Sequence, residues 1–246
     1  MATLRLFAGY DFTIDGICYT TLGGDSVEVG KNTNAKGAII IPETVKTVIT
    51  YRVVGIGDAA FLGCTSLTSV TIPNSVTNIG ISAFYGCSSL LSISIPNNVT
   101  NIDNNAFRGC TSLTSVTIPN SITRIGDGTF DDCNSLTTMT IGNMKYKTQE
   151  VVDGKWKAYK AFNADMTCRD FQYEEGKTYE FDDDLKLCNC GFHACLNFAD
   201  VFNYYHGMIG QDIVVYEVEL EGVSDKRNKY NSKVVAKKIT IGKRIL

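Results

Sequence analysis

Histidine, tryptophan and proline are scarce in this chain of 246 residues, with 2, 1 and 4 copies respectively. Because His193 and His206 are the only histidines, no Ser-His or Cys-His pair typical of a hydrolase is indicated, and no glycine-rich phosphate loop is present. An excess of basic residues is also missing, since 23 Lys and Arg stand against 26 Asp and Glu. Binding to a phosphate backbone requires such an excess, so no nucleic-acid partner is expected.

Long apolar runs are missing as well. No stretch approaches the roughly 20 residues that span a bilayer, so no membrane association is expected. The first residues lack the basic run, apolar core and small-residue cleavage site of a signal peptide. We therefore expect a cytoplasmic protein.

Charge is absent from one long segment, because no Asp, Glu, Lys or Arg occurs between Ala59 and Ile102. Ser, Thr and Asn replace charged residues there. In strands, such side chains can form rows that hydrogen-bond across neighbouring strands. A flat, nearly uncharged surface of this kind suits contact with a protein or a glycan, although solvation alone also accounts for it.

An internal repeat decides the architecture of the first part of the chain. Blocks reading FLGCTSL, FYGCSSL, FRGCTSL and FDDCNSL begin at Phe61, Phe84, Phe107 and Phe130, a constant period of 23 residues. Each block runs into an alternating segment that predicts a half-buried strand, and a second short extended segment follows the proline. Because one unit cannot bury its own apolar face, the units are expected to stack as a solenoid.

Four of the nine cysteines follow the same period, at Cys64, Cys87, Cys110 and Cys133. Their spacing predicts a repeated, buried packing position instead of a disulfide framework. The odd total and the missing secretion signal agree with reduced thiols.

These units resemble the BspA-type leucine-rich repeats over roughly residues 10–142, and the opening at 12–19 and 37–42 resembles the N-terminal cap of that family. The longer spacing before Phe61 predicts an inserted strand or hairpin around Tyr51–Val54. The resemblance implies binding, often in surface adhesion or interaction proteins. We predict four segments: a cap with a first irregular repeat (1–60), the solenoid (61–146), a connector (147–156) and a small α+β domain (157–246). The predicted fold class is thus mainly β with some α.

In the last segment the pattern predicts strands at 157–162, 176–181, 213–220 and 234–241, and a helix at 198–205. The stretch at 157–246 resembles an uncharacterised domain found at the C-termini of bacterial and phage proteins. The residues that carry this resemblance are Cys168, the segment YEEGKTY at 173–179, the segment LCNCGFHAC at 187–195, and Tyr204-Tyr205.

Two sharper interpretations of this domain remain open. Cys188, Cys190, His193 and Cys195 are soft ligands suited to zinc, but their close spacing favours buried strand cysteines. The acidic run at 182–184 could bind a cation, but a solvated turn is favoured, so neither a metal nor a cofactor is expected.

The second interpretation is a loose similarity to an ADP-ribosyltransferase-like fold. The corresponding positions are Tyr159-Lys160, Gly191-Phe192-His193, and Glu217 or Glu219. Lys160 departs from the usual Arg or His, and a likeness of fold does not establish chemistry.

The sequence therefore predicts a non-enzymatic, protein-binding leucine-rich-repeat protein of bacterial or phage origin that acts as an adaptor or inhibitor by occupying a partner's surface. The alternatives are an intracellular effector enzyme with a transferase-like C-terminal domain and a surface adhesion protein. The exposed residues that break the repeat, Tyr85, Arg108 and Arg124, are the candidate contact residues. The oligomeric state and the identity of the partner stay open.

Overall fold

The structure is a computed structural model that describes residues 9, 11–141, 144–147, 150–152, 155–163, 165–168, 171–180, 192–195, 201, 213–223 and 233–245. Its contacts divide the chain into two compact units, residues 1–136 with 140–144, and residues 137–139 with 145–246. The bounds of the four segments predicted above stay predictions.

Short strands make up the first unit, and the last two of them extend across its boundary at 136–145. In chain order they are β1 (Asp11–Ile14), β2 (Ile17–Gly23), β3 (Ser26–Val29), β4 (Gly37–Ile40), β5 (Thr44–Lys46), β6 (Thr50–Ile56), β7 (Leu67–Thr71), β8 (Asn78–Ile79), β9 (Ser92–Ser94), β10 (Asn101–Ile102), β11 (Ser115–Ile118), β12 (Arg124–Ile125), β13 (Thr138–Ile141) and β14 (Met144–Lys147).

Each repeat contributes one strand to each of two sheets. Sheet A has the order β1-β2-β3-β6-β8-β10-β12, with β5 beside β6, and sheet B has the order β14-β13-β11-β9-β7-β4. The strands of successive repeats pair in parallel at a shift of 23 residues, as in Val70↔Ile93↔Val116. The mainly β solenoid predicted from the sequence is confirmed, with about five turns.

Stacked aromatic rings fill the centre of the solenoid. Phe61, Phe84, Phe107 and Phe130 are each at most 2% exposed, and neighbouring ring centroids lie 5.2, 5.2 and 5.7 Å apart. The ring planes are within 11° of parallel. One strand spacing separates equivalent residues, which brings the rings into contact and removes them from water.

The cysteines form a second buried column, as the period predicted. The thiols of Cys87, Cys110 and Cys133 each donate to the carbonyl of the phenylalanine 26 residues earlier, at 3.1, 3.2 and 3.2 Å. Burial and the neighbouring thiols raise the pKa of Cys87 from 9.0 to about 12, and burial likewise raises the pKa of Cys110. These cysteines are therefore packing residues that hold their protons.

The turn between phenylalanine and cysteine needs a left-handed residue in every coil. Gly63, Gly86 and Gly109 have φ angles of 70°, 71° and 72°, and Asp132 takes the same position in the fourth coil with φ 60°. A side chain at such a φ is strained, and glycine avoids that strain. The repeated glycine is thus a backbone requirement, which aspartate tolerates better than most residues.

The N-terminal end is irregular, as expected of a solenoid cap. Strands β1, β2 and β3 form an antiparallel meander, and β3 then pairs in parallel with β6. Strands β5 and β6 form a hairpin through Thr44↔Arg52 and Val45↔Tyr51. The hairpin predicted around Tyr51–Val54 is therefore present.

The second unit is also made of strands. They are β15 (Glu150–Val152), β16 (Lys155–Asn163), β17 (Thr167–Cys168), β18 (Phe171–Gln172), β19 (Thr178–Glu180), β20 (Phe192–Cys195), β21 (Ile213–Val223) and β22 (Lys233–Arg244). The four predicted strands correspond to β16, β19, β21 and β22. Strand β20 and the β17–β18 pair were not among those four.

Strand β20 closes the main sheet of this unit on itself. Strand β16 pairs with β21, β21 with β22, β22 with β20, and β20 again with β16, all antiparallel. The interior of this ring is apolar and includes Ala158, Phe162, Val218 and Ile239.

No α-helix lies within the ranges that the structure describes. The helix predicted at 198–205 falls outside them except for Val201, so the predicted α content is not confirmed. The described residues accordingly contain no helix that is long and apolar enough to span a bilayer.

Candidate functional site

The candidate contact residues Tyr85 and Arg108 occupy the same position of neighbouring coils, between the buried phenylalanine and the left-handed glycine. Leu62 precedes them in this column and Asp131 follows, so the four coils present Leu, Tyr, Arg and Asp at one turn. The amide of Gly63 donates to the carbonyl of Tyr85, and that of Gly86 to Arg108, each at 2.7 Å. The column therefore forms a continuous ridge along the solenoid.

The N-terminal half of this ridge is apolar and open to solvent. Leu62 is 44% exposed and Tyr85 40% exposed, and Ile81, which begins the same turn segment as Tyr85, is 47% exposed. We call Leu62, Ile81 and Tyr85 the ridge patch. The segment that carries the patch, Ala59–Ile102, holds no charged residue, and at its border the carboxylate of Asp58 accepts from the amide of Ile81 at 2.7 Å.

The C-terminal half of the ridge is charged. Arg108 lies 3.5 Å from a carboxylate oxygen of both Asp131 and Asp132. Burial raises the pKa of Asp131, and the cation of Arg108 opposes that rise. Arg108 is thus a cation already paired within its own molecule, at the border of the ridge patch.

The third candidate, Arg124, lies elsewhere. It begins strand β12 of sheet A, in register with Asn101 and Asn78. The amide of Asn101 donates to that of Asn78 at 2.6 Å, and the guanidinium of Arg124 donates to Asp103 at 2.6 Å. The structure therefore places Tyr85 and Arg108 on one ridge and Arg124 in a separate polar row of sheet A.

Only two of the four weak zinc candidates, His193 and Cys195, lie among the described residues. Cys188 and Cys190 lie outside the described residues, as do the acidic residues 182–184. His193 lies in β20, where its backbone pairs with that of Val235 in β22, and Cys195 is 3% exposed. Within the described ranges no group of three His, Cys, Asp or Glu side chains could hold a metal ion.

The residues of the transferase interpretation do not share one face. Tyr159 pairs with Glu217 across β16 and β21, so these two lie on the same side of the sheet. Lys160 lies on the other side, where it is 4% exposed with its ammonium 5.5 and 5.6 Å from the rings of Phe162 and Tyr173. Glu219 forms an exposed ion pair with Lys155 at 3.3 Å. The strand geometry therefore separates Lys160 from both glutamates.

An open acidic cleft in the N-terminal cap was missed by the sequence reasoning. Its volume is about 440 Å³, and its lining includes Asp11, Glu28, Lys31 and Asp58. Burial raises the pKa of Glu28, and the charges of Asp58 and Asp11 raise it further. These carboxylates come from three strand ends far apart in the chain, so no local motif marks the cleft. It offers carboxylate acceptors, and one of them, Asp11, already accepts from the hydroxyl of Thr20.

Family comparison also divides the chain in two, at 152–156, which lies beyond the boundary at 136–145 given by the contacts. Residues 37–152 match the BspA type leucine rich repeat region in six copies, and residues 156–246 match a domain of unknown function, DUF7666. A comparison with curated proteins gives no match.

Several solved structures are similar to the repeat region. A leucine rich cell surface protein from Faecalibacterium prausnitzii A2-165 is 32% identical with a TM-score of 0.44, covering 55% of this chain and 43% of that one. A leucine-rich repeat protein from Bacteroides capillosus ATCC 29799 is 28% identical with a TM-score of 0.49, covering 53% and 97%. Another, from Bacteroides ovatus ATCC 8483, is 36% identical with a TM-score of 0.45, covering 53% and 41%.

This chain thus spans less than half the length of the first and third of these proteins. The repeat motif, the two-sheet coil and the family match agree with one another. The chain consists of a BspA-type leucine-rich repeat region followed by a DUF7666 domain of unknown function.

Proposed function

We propose that the repeat region is a non-enzymatic, protein-binding module whose contact surface is centred on the ridge patch. The observation that carries the proposal is the group Leu62, Ile81 and Tyr85, three large apolar side chains each 40% or more exposed on neighbouring coils. A role in protein binding is what leucine-rich repeat families suggest. The patch identifies where such binding would occur in this chain.

The physical argument rests on hydration and rigidity. A protein partner that covers these side chains removes their apolar surface from water, which is the main favourable term in association. Tyrosine is enriched among the residues that dominate binding energy. The backbone beneath the patch is held by coil-to-coil hydrogen bonds such as Gly63 N to Tyr85 O, so little conformational entropy is lost on binding.

Arg108 has a secondary role in this proposal. Its guanidinium is partly exposed and already paired with Asp131 and Asp132, so it supports partner orientation at the rim of the patch and adds little affinity. Arg124 lies in sheet A, away from the ridge, and is not assigned to the same contact.

The finer role belongs to the same proposal. We assign the protein to a bacterial or phage setting, as an adaptor or inhibitor that occupies a partner's surface in the cytoplasm.

Affinity capture from bacterial lysate with the full chain tests the proposal. The double variant Leu62→Ser with Tyr85→Ser should lose a partner that the wild type retains, by about tenfold or more, since hot-spot side chains contribute most of the binding energy. The matched control is Leu91→Ser, because Leu91 is 56% exposed on the segment that leads into β9 of sheet B. Equal capture by the double variant, or equal loss in the control, would contradict the ridge patch as the contact surface.

A further inference from the structure

Sheet B presents an ordered array of hydroxyl groups on its outward side. Strand pairing aligns Ser69 with Ser92 and Ser115 in one row, and Thr71 with Ser94 and Thr117 in a second row. The alternating residues Val70, Ile93 and Val116 point into the core. We call the two outward rows the hydroxyl face.

The hydroxyls of this face differ from those in other columns of the solenoid. Thr77, Thr100 and Thr123 each donate to the carbonyl of the residue 23 positions earlier, at 3.3, 3.4 and 3.0 Å. Thr111 and Thr114 do the same from the turn and from the segment before β11. The hydrogen bonds of these hydroxyls therefore connect each coil to the preceding one.

The six hydroxyls of the hydroxyl face form no hydrogen bond to any described residue. The reason is local, since the carbonyls of a central strand already accept from the neighbouring strands and lie in the plane of the sheet. Each hydroxyl therefore keeps one donor and two acceptor sites for a ligand. Spacings of about 4.8 Å between strands and about 6.7 Å along a strand repeat across the face.

The sequence around most of the face is uncharged, and apolar side chains border it. Two of its three strands lie within the charge-free segment Ala59–Ile102. Ile40, which is 74% exposed, continues the second row in register with Thr71, and Leu91, which is 56% exposed, immediately precedes Ser92. The face thus combines free hydroxyls with a few apolar contacts, and none of the six side chains that form it is charged.

We propose that the hydroxyl face binds a neutral polysaccharide whose chain runs across the strands, along the rows. A repeating ligand is favoured because the chemistry of the face itself repeats with every coil, so each added coil offers the same contact to the next sugar unit. Sugar hydroxyls can donate to and accept from serine and threonine, while the C–H surfaces of the ring contact the apolar side chains. This site is separate from the ridge patch and does not depend on it.

Retention of the full chain on insoluble neutral polysaccharides, namely a β-glucan, a mannan and a xylan, tests the proposal, with an acidic polyuronate as the contrast. The triple variant Thr71→Val, Ser94→Ala, Thr117→Val removes one row. The control is Thr77→Val, Thr100→Val, Thr123→Val, which removes equivalent groups that are already bonded to the protein. Circular dichroism of both variants checks that they fold.

The expected result is retention of the wild type on at least one neutral polymer, little affected by added salt because no ion pair is involved. Several hydrogen bonds are lost in the row variant, so its affinity should fall by about tenfold or more, while the control should remain within about twofold of the wild type. No retention on any neutral polymer, stronger retention on the polyuronate, or equal loss in both variants would overturn the proposal.

Discussion

Replacing one phenylalanine of the central stack by leucine should cost more in the middle of the stack than at its end. Phe61 and Phe84 are both fully buried, at 0% exposure, so Phe61→Leu and Phe84→Leu lose the same transfer free energy and leave similar cavities. That shared cost is about 1–2 kcal/mol. Phe84 stacks on two rings at 5.2 Å each, whereas Phe61 stacks on Phe84 alone. Each aromatic pair contributes about 0.5–1.5 kcal/mol beyond burial, so Phe84→Leu should cost about 1 kcal/mol more.

Urea denaturation followed by far-UV circular dichroism measures this difference in the full chain. Trp156 is the only tryptophan and belongs to the second unit, so its fluorescence follows that unit separately and should keep its midpoint in both variants. A common slope of free energy against urea is required for the comparison. Equal losses in the two variants, or a larger loss for Phe61→Leu, would refute the view that ring stacking stabilises the coils beyond apolar burial.

Three further predictions concern the cysteine column and the turns. Because the pKa of Cys87 is raised from 9.0 to about 12, its thiolate at pH 8 is about a thousandfold scarcer than that of an ordinary thiol, and iodoacetamide should label it by mass spectrometry only after unfolding. Because the pKa of Cys87 is higher in the folded than in the unfolded state, the contribution of this thiol to the free energy of unfolding is fully present below pH 9. It falls as the pH rises towards 12, by up to about 1.4 kcal/mol per pH unit. A Cys87→Ala variant should therefore lose stability less steeply between pH 9 and pH 12. Gly86→Ala places a side chain on a residue with a φ of 71° and should lower the free energy of unfolding by about 1–2 kcal/mol. The control Gly55→Ala should cost less, because a Cβ there would meet only ordinary contacts at 3.6 Å and beyond. Equal losses in the two variants would argue against the requirement for a left-handed residue at position 86.

The sequence was most informative where a contact repeats with the period of the chain. Phe84 packs on Phe61 because both stand at the same place in a 23-residue unit, and the same spacing places Cys110 above Cys87. The 23-residue period of the sequence therefore predicts which residues of neighbouring coils are in contact. The extra residues before Phe61 also predicted the β5–β6 hairpin, since an insertion of that length must leave the regular coil.

Features that depend on non-repeating contacts could not be predicted in this way. The closure of the second unit by β20 depends on a pairing of Tyr159 with Cys195 that no local pattern encodes. Alternation showed that Arg108 and Arg124 face outward, but it did not show that one lies on a turn and the other on sheet A. The pairing of Arg124 with Asp103 was equally invisible, because this carboxylate stands at a different position of the neighbouring coil. The pairing of Arg108 with Asp131, by contrast, joins the same position of successive coils.

Each repeat has separate positions for packing and for surface contact, which explains how this solenoid can vary its surface without changing its fold. Phenylalanine and cysteine are fixed inside each coil, and the left-handed position holds the turn, so the residue between phenylalanine and that position carries almost no structural constraint. Across the four coils this residue changes from Leu62 to Tyr85, Arg108 and Asp131. The ridge therefore passes from apolar to charged while its backbone stays the same. Exchanging Tyr85 and Arg108 should accordingly change partner binding far more than stability, since both residues are partly open to solvent and their turns are equivalent.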